Sequence, residues 1–375
     1  MMRGSVFTSN QLLSSSPTAS KSLRLQSTAA SLKEESISTP PSPSSSNPSN
    51  PHFTNLTPAP PLSYKPFLEL SKPRLTMLVV LTTMSAYAIA PFPASTLPAL
   101  LSLTIGTTLC SASANAFNML IEPPFDAQMT RTRNRPLVRG AVLPNQALAF
   151  ATAAGVTGVG LLTLGTNMTV AGLGLANIVL YAGVYTPMKR ISIANTWVGA
   201  LVGALPPLMG WAALDPTFAH PGGWALAGLL FAWQFPHFNA LAWNLRSEYA
   251  RAGYRMTSVT DPALNARVAL RYSLLCLPLS WALSLTSVCD PFFLIDSTLV
   301  NGWLIAESYK FWKWRDDKRA RKLFFASIWH LPLLLGLAMV HKVGLWDWLW
   351  ELIGWYGDDI KVLEDVQQAV VKTEA

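Results

Sequence analysis

Charge is scarce in this chain. Of its 375 residues only 13% are Asp, Glu, Lys or Arg, while 50% are hydrophobic. That balance excludes one soluble domain of ordinary composition and fits a polytopic helical membrane protein with short loops. Cysteine is scarcer: Cys110, Cys276 and Cys289 are the 3 present, all in or beside apolar runs, with no C-x-x-C pair. This excludes a disulfide framework and leaves the thiols buried and reduced. No clear internal repeat is visible. The formal charge of +8 would suggest nucleic acid in a soluble protein. Here the bases sit between apolar runs, so membrane topology is the better reading and nucleic acid is not an expected partner.

Acids are missing from the first 33 residues, where Arg3, Lys21, Arg24 and Lys33 are scattered among Ser, Thr and Pro. A secretory-type apolar core is missing too. Residues 1–65 therefore read as an organellar transit segment followed by a Pro/Ser linker, or as plain disorder. A mitochondrial and a plastid destination are equally compatible with it. Residues 66–345 form the transmembrane domain. Residues 346–375 form an acidic tail whose Trp346, Trp348, Trp350 and Trp355 suit a membrane interface.

Apolar stretches recur from Leu75 onward. We read about nine spans, each near the ~20 residues a bilayer requires. They cover Leu75–Ala90, Leu97–Leu120, Ala147–Leu164, Val170–Tyr185, Thr196–Leu214, Trp224–Asn244, Val268–Val288, Phe293–Phe311 and Leu323–Val340. Alternate loops are rich in base (Arg131 to Arg139, Lys189–Arg190, Arg246 to Arg271, Lys313 to Lys322), and the others hold almost none. This positive-inside parity puts the N-terminus on the basic side and the C-terminus opposite.

The densest charge follows the second span. Asn118, Glu122 and Asp126 fall at i, i+4 and i+8, then come Arg131, Arg133, Arg135 and Arg139. On a helix the first three share a face, although Pro123-Pro124 ends or kinks it. Carboxylates hold a hard divalent cation and arginines hold phosphate oxygens. Together at a membrane surface they point to Mg²⁺ and a diphosphate with an apolar tail. A topogenic loop with local ion pairs is the plainer alternative.

Three further groups lie on or near that side. Lys189 and Arg190 clamp the diphosphate, or are positive-inside charge. Glu248 is a second metal ligand, or pairs with Arg246 or Arg251 at the surface. His237 and His330 lie mid-span, eight or nine residues from their basic loops, hence ~12–14 Å deep at a rise of ~1.5 Å per residue. They are hydrogen-bonded core histidines, or they ligate iron from one cavity. Gly199/Gly203 and Gly155/Gly158/Gly160 permit close helix packing. Pro206-Pro207 is expected to break the fifth span and widen a cavity.

The run from Asn118 to Gly140 resembles the signature of the UbiA-type intramembrane prenyltransferases. The runs Tyr185 to Gly199, Gly203 to Trp211, Trp233 to Trp243 and Trp329 to Pro332 are similar to its haem-farnesylating branch. The resemblance covers about Lys72 to Val340. It implies an all-α fold, a ring of nine transmembrane helices around a lipid-open cavity, in the inner mitochondrial membrane. It implies farnesyl diphosphate and haem B as substrates, haem O as product and Mg²⁺ as cofactor. Asn118, Glu122 and Asp126 match the metal-diphosphate motif. Arg131 and Arg135, with Lys189 and Arg190, match the phosphate-contacting bases. His237 matches a histidine that holds haem, with His330 as the second candidate. The implied partners are those substrates, membrane lipid, haem A synthase or cytochrome oxidase assembly factors, and a second copy of the chain. The second acidic motif is reduced to Ser247-Glu248 where the haem branch commonly has two acids. The interior aromatics Trp233, Phe235 and Phe238 are expected to shelter an allylic cation.

Two other readings compete. A sister prenyltransferase acting on an aromatic acid would be expected to carry a fuller second acidic motif and to need no mid-span histidines. A transporter of an anionic metabolite would be expected to show inverted repeats and paired broken helices.

Overall fold

Proline opens several of the helices. It occupies the first or second helical position of four long ones, where its missing N–H leaves no bond unmade. The computed structural model describes residues 63–347 and Leu349. In chain order these form α1 (Tyr64–Leu70), α2 (Pro73–Ile89), α3 (Leu97–Ile121), α4 (Pro123–Asp126), α5 (Pro144–Gly165) and α6 (Met168–Ile178). A π-helical stretch (Val179–Tyr185) carries α6 into α7 (Thr186–Ile191). Then follow α8 (Asn195–Ala212), α9 (Gly222–Asn244), α10 (Arg246–Arg251), α11 (Thr257–Thr260), α12 (Pro262–Leu285), α13 (Phe292–Trp314) and α14 (Asp317–Val340). No strand occurs among the described residues; one isolated bridge joins Cys289 and Lys342.

Five segments are long and apolar enough to cross a membrane by length and composition: α3, α5, α6 through α7, α12 and α14. α2 is apolar but shorter, at 17 residues. α8, α9 and α13 carry polar or proline content at their inner faces, such as Pro206-Pro207, Gln234, His237 and Asn301. The expected fourth span extends past Tyr185, because the π-helical stretch feeds α7 without a break.

The long helices pack in a closed succession. α2 meets α3, α3 meets α5, α5 meets α6, α6 meets α8, α8 meets α9, α9 meets α12, α12 meets α13, α13 meets α14, and α14 returns to α2. Leu229, Phe293 and Leu334 are buried in the core shared by the later helices, and Leu103, Leu162 and Met209 in that of the earlier ones. Close approach depends on small residues at defined points. A Cβ on Gly158 would lie 3.0 Å from the Cys110 backbone of α3, and one on Gly210 would lie 2.0 Å from the Thr83 carbonyl of α2. Gly160, expected in the same packing role, faces open space.

The expected break at Pro206-Pro207 does not occur. α8 runs through both prolines. The carbonyl of Val202, four residues before Pro206, cannot receive the usual helical bond. Asn177 of α6 supplies its Nδ2–H instead, at 3.0 Å. A neighbouring helix thus satisfies one of the two carbonyls that the proline pair frees, as happens where proline is tolerated within membrane helices. The proposed transit and linker segment, residues 1–65, lies outside the described residues except for Ser63–Lys65. The proposed tail, 346–375, lies outside them except for Trp346, Asp347 and Leu349.

Candidate functional site

The face predicted from spacing survives the proline pair. α3 ends at Ile121, and Glu122 is the pivot, at φ −98° and ψ 2°. Its N–H still donates to the Asn118 carbonyl at 3.2 Å, and the Asp126 N–H donates to the Glu122 carbonyl at 2.9 Å. The two prolines occupy the start of α4, where no N–H donor is needed. Asn118, Glu122 and Asp126 therefore keep their stacking, and all are buried, at 1%, 3% and 2% exposure.

Buried carboxylates require partners. Arg135 Nη1 donates to Glu122 Oε2 at 3.3 Å and also to Asp126 Oδ2, so one guanidinium nitrogen joins both acids. Lys189 Nζ donates to Glu122 Oε1 at 2.7 Å. The turn after α4 delivers Arg135: Thr132 Oγ1 caps the Asp126 carbonyl at 2.9 Å, and the Arg135 N–H donates to the Thr132 carbonyl. Arg131, its equal in the sequence, stands exposed, with no carboxylate at ion-pair distance among the described residues. Arg139 pairs with Glu69 at the surface. Arg190 lies over the Phe125 ring, 4.2 Å from its centroid, and not on the acids.

Lys72, not among the residues singled out by spacing, completes the cluster. Its Nζ donates to Asn118 Oδ1 at 2.7 Å. It is held in the left-handed region (φ 46°, ψ 66°) directly before Pro73. Such a backbone costs roughly 1–3 kcal/mol in a residue other than glycine, and strained residues cluster at functional sites. The Lys-Pro-Arg run before the first span, on the same side as the acidic motif, was the available signal.

The π-helical stretch shapes the opposite wall. Its wider turn stacks Tyr181 on Tyr185, with ring centroids 5.5 Å apart. Thr186 Oγ1 accepts from Asn118 Nδ2 at 2.9 Å, and Lys189 Nζ sits 4.7 Å from the Tyr185 ring centroid. Tyr254, between α10 and α11, faces Lys189 from 5.9 Å. Tyr181, Tyr185 and Tyr254 thus surround the bases that hold the acids; of the three expected aromatics, Phe238 packs in the Met129–Tyr254 cluster and Trp233 stacks on His237. Phe235 is wholly buried, stacked on Tyr272 at 3.7 Å.

The two acids respond differently. Burial resists ionisation of Glu122, but Lys189, Arg135 and Lys72 outweigh it and hold its carboxyl below the usual range. Burial prevails at Asp126, helped by the Glu122 charge, and raises its carboxyl despite Arg135. Burial, then the charges of Arg135 and Lys189, pushes Lys72 well below the ordinary lysine value. The cluster would welcome further negative charge.

Glu248 does not form the expected surface pair: Arg246 bonds Asp317 at 2.8 Å instead. One Glu248 carboxylate oxygen is buried without a partner, as is the Tyr254 hydroxyl. The α10–α11 segment packs on Phe125 and Met129, beside the acidic loop. His237 is half-buried, stacked on Trp233 at 4.9 Å, with Nδ1 2.9 Å from Ser327 Oγ. His330 is sealed at 0% exposure, its Nε2 3.1 Å from Asn301 Oδ1 and its Nδ1 unpartnered. The histidines thus have different neighbours.

A helical ring carrying a buried acid–base cluster at one helix end defines a class: an intramembrane protein of the UbiA fold. Solved structures share that fold. A digeranylgeranylglyceryl phosphate synthase matches with a TM-score of 0.65 at 14% identity, over 75% of this chain and 99% of that one. A UbiA homologue from Archaeoglobus fulgidus, bound to GPP and Mg²⁺, matches with a TM-score of 0.53 at 14% identity, over 73% and 99%. The UbiA prenyltransferase family matches residues 79–331, and the chain belongs to that family. The mitochondrial protoheme IX farnesyltransferase of Kluyveromyces lactis is 56% identical over 308 residues, 76% of this chain and 68% of that protein. Those of Yarrowia lipolytica and Saccharomyces cerevisiae are each 54% identical over 76% of this chain, and 64% and 66% of their own lengths. The chain thus spans about two thirds of the length of these relatives.

Proposed function

We propose that this protein transfers the farnesyl group of farnesyl diphosphate to a vinyl group of protohaem IX, with addition of water, giving haem O. The buried Glu122–Asp126 pair, joined by Arg135 and flanked by Lys189 and Lys72, carries the prenyl-transfer part of this reading. The named relatives support haem as acceptor.

The donor set fits Mg²⁺. Asn118, Glu122 and Asp126 offer only hard oxygen donors, and both carboxylates lie within reach of one guanidinium nitrogen. Bound by these residues and by diphosphate oxygens, Mg²⁺ would supply charge neutralisation to the leaving group. The chain's own bases do the rest. Arg135, Lys189 and Lys72 move from the acids and amide onto the diphosphate oxygens. Arg131 and Arg190 extend the basic rim. The allylic C–O bond breaks, and diphosphate leaves with the electron pair. The Tyr181 and Tyr185 π-faces stabilise the farnesyl cation while the buried setting keeps water from it. The vinyl π-electrons form the new C–C bond. Water then adds at the haem side and loses a proton, giving the hydroxyethylfarnesyl substituent. His237, only partly buried and within the ring, orients the porphyrin; His330 would have to be uncovered first. Glu248, with its unpartnered oxygen, is the candidate for a second cation ligand.

The setting is the inner mitochondrial membrane, with the basic loops and the site on the matrix side and the C-terminus in the intermembrane space. Purified protein incubated with haem B and farnesyl diphosphate, with and without Mg²⁺, tests the reading. Haem O should form only with Mg²⁺. Prenylation of an aromatic acid with haem left unchanged would overturn it.

A further inference from the structure

Beyond that reaction, α13 and α14 form a feature the site does not use. A groove of about 690 Å³ lies between them. Its floor is aromatic: Trp303 from α13, with Phe325 and Trp329 from α14, all exposed. Its rim is basic: Lys318, Arg321 and Lys322. Lys322 and Trp329 are seven residues apart, so the groove descends ~10 Å from the rim at ~1.5 Å per residue.

Charge bookkeeping identifies the occupant. Two acids also line the groove, Glu307 and Asp317. Asp317 is matched by Arg246 at 2.8 Å, and Glu307 by Lys310 at 2.5 Å, neither base belonging to the rim. Lys318, Arg321 and Lys322 have no carboxylate at ion-pair distance among the described residues. Three cations are left facing one apolar channel. The second oxygen of Glu307 is buried and has no partner. A smaller groove on the other side of α13 repeats the pattern with Trp312, Lys313 and Arg315.

The groove is not an antechamber for the porphyrin. Ser327, which bonds His237, and His330 lie on the face of α14 turned into the ring, while Phe325 and Trp329 face outward. α14 therefore stands between the groove and His237, while His330 is tied to Asn301 of α13 and is sealed at 0% exposure. A groove open at a membrane-facing surface, basic at the interface and apolar below, matches an amphiphile with a phosphate head and acyl chains.

We propose that the α13–α14 groove binds an anionic glycerophospholipid of the surrounding leaflet. Its phosphate rests on Lys318, Arg321 and Lys322, and an acyl chain lies along Trp303, Phe325 and Trp329. The site is separate from the diphosphate cluster and does not depend on the proposed reaction.

The full-length protein in nanodiscs of mixed dioleoyl phosphatidylglycerol and phosphatidylcholine provides the test, with retained lipid identified by native mass spectrometry. The wild type should retain phosphatidylglycerol in preference to phosphatidylcholine. Lys318→Gln/Arg321→Gln/Lys322→Gln should lower that preference about tenfold or more, since each base near an anionic surface contributes a factor of several. Lys318→Arg/Lys322→Arg should retain it, which separates charge from folding. Trp329→Ala should weaken retention of phosphatidylglycerol in the same measurement, by removing part of the apolar floor. An unchanged preference in the triple glutamine variant overturns the proposal. So does inorganic phosphate displacing the lipid at low millimolar concentration, which would make the rim a free-phosphate site.

Discussion

Replacing Arg135 by Gln removes the guanidinium that joins Glu122 to Asp126. Both carboxylates stay where they are, at 3% and 2% exposure. Breaking a buried ion pair by deleting one partner costs about 3–5 kcal/mol when the orphan stays charged. Two features lower that figure here. Lys189 still holds Glu122. Asp126, whose carboxyl is already raised by burial, can take up a proton and shed its charge. We therefore expect a stability loss of about 2–3 kcal/mol. Catalysis should suffer more, because the same cation is proposed to meet the departing diphosphate. Losing one preorganised charge at such a centre lowers turnover about 10²–10³-fold. Arg135→Lys should recover part of that: it restores charge but not the planar fork. Haem O formation, followed chromatographically in proteoliposomes beside thermal unfolding of the same samples, reads both quantities. Arg135→Gln with turnover within about threefold of wild type would refute the reasoning.

Two further outcomes follow. His237→Ala should alter the absorption spectrum of bound haem; a wild-type spectrum would move the orienting role away from this residue. At the C-terminal end of α14, His341 bridges Asp290 at 2.9 Å and Asp296 at 3.0 Å. Burial works against its protonation, but the two carboxylates win and raise its pKa above the usual imidazole value. The charged form is therefore favoured by folding, and its contribution is full below the unfolded pKa and lost as pH rises through the folded one. Thermal stability of the wild type should fall from mildly acidic to alkaline pH by more than that of His341→Gln. Parallel pH profiles would remove His341 as the cause.

Much of the cluster was legible before any coordinates. The spacing of Asn118, Glu122 and Asp126 survives because Pro123 and Pro124 fall where a helix start wants them, so the kink does not rotate the face. Lys189 was legible from its position after a span on the basic side. What spacing could not distinguish was Arg135 from Arg131, since the Thr132 turn decides which one enters. Lys72 was hidden for another reason: it reaches Asn118 across 46 residues of sequence. Only the packing of α2 against α3 brings the two together. The tyrosine wall depends on a π-helical stretch, which no apolar periodicity announces. Pro206-Pro207 was misread because its consequence depends on Asn177, a residue of another helix.

Asp126 is where the account can be struck most directly. In Asp126→Ala the carboxylate proposed to bind the cation disappears from the cluster, while His237 and Ser327 are untouched. Haem O formation and haem binding, measured on the same purified variant with saturating farnesyl diphosphate and Mg²⁺, should diverge: turnover abolished, haem spectrum retained. Haem O produced at the wild-type rate would contradict the claim that this acidic cluster activates the diphosphate.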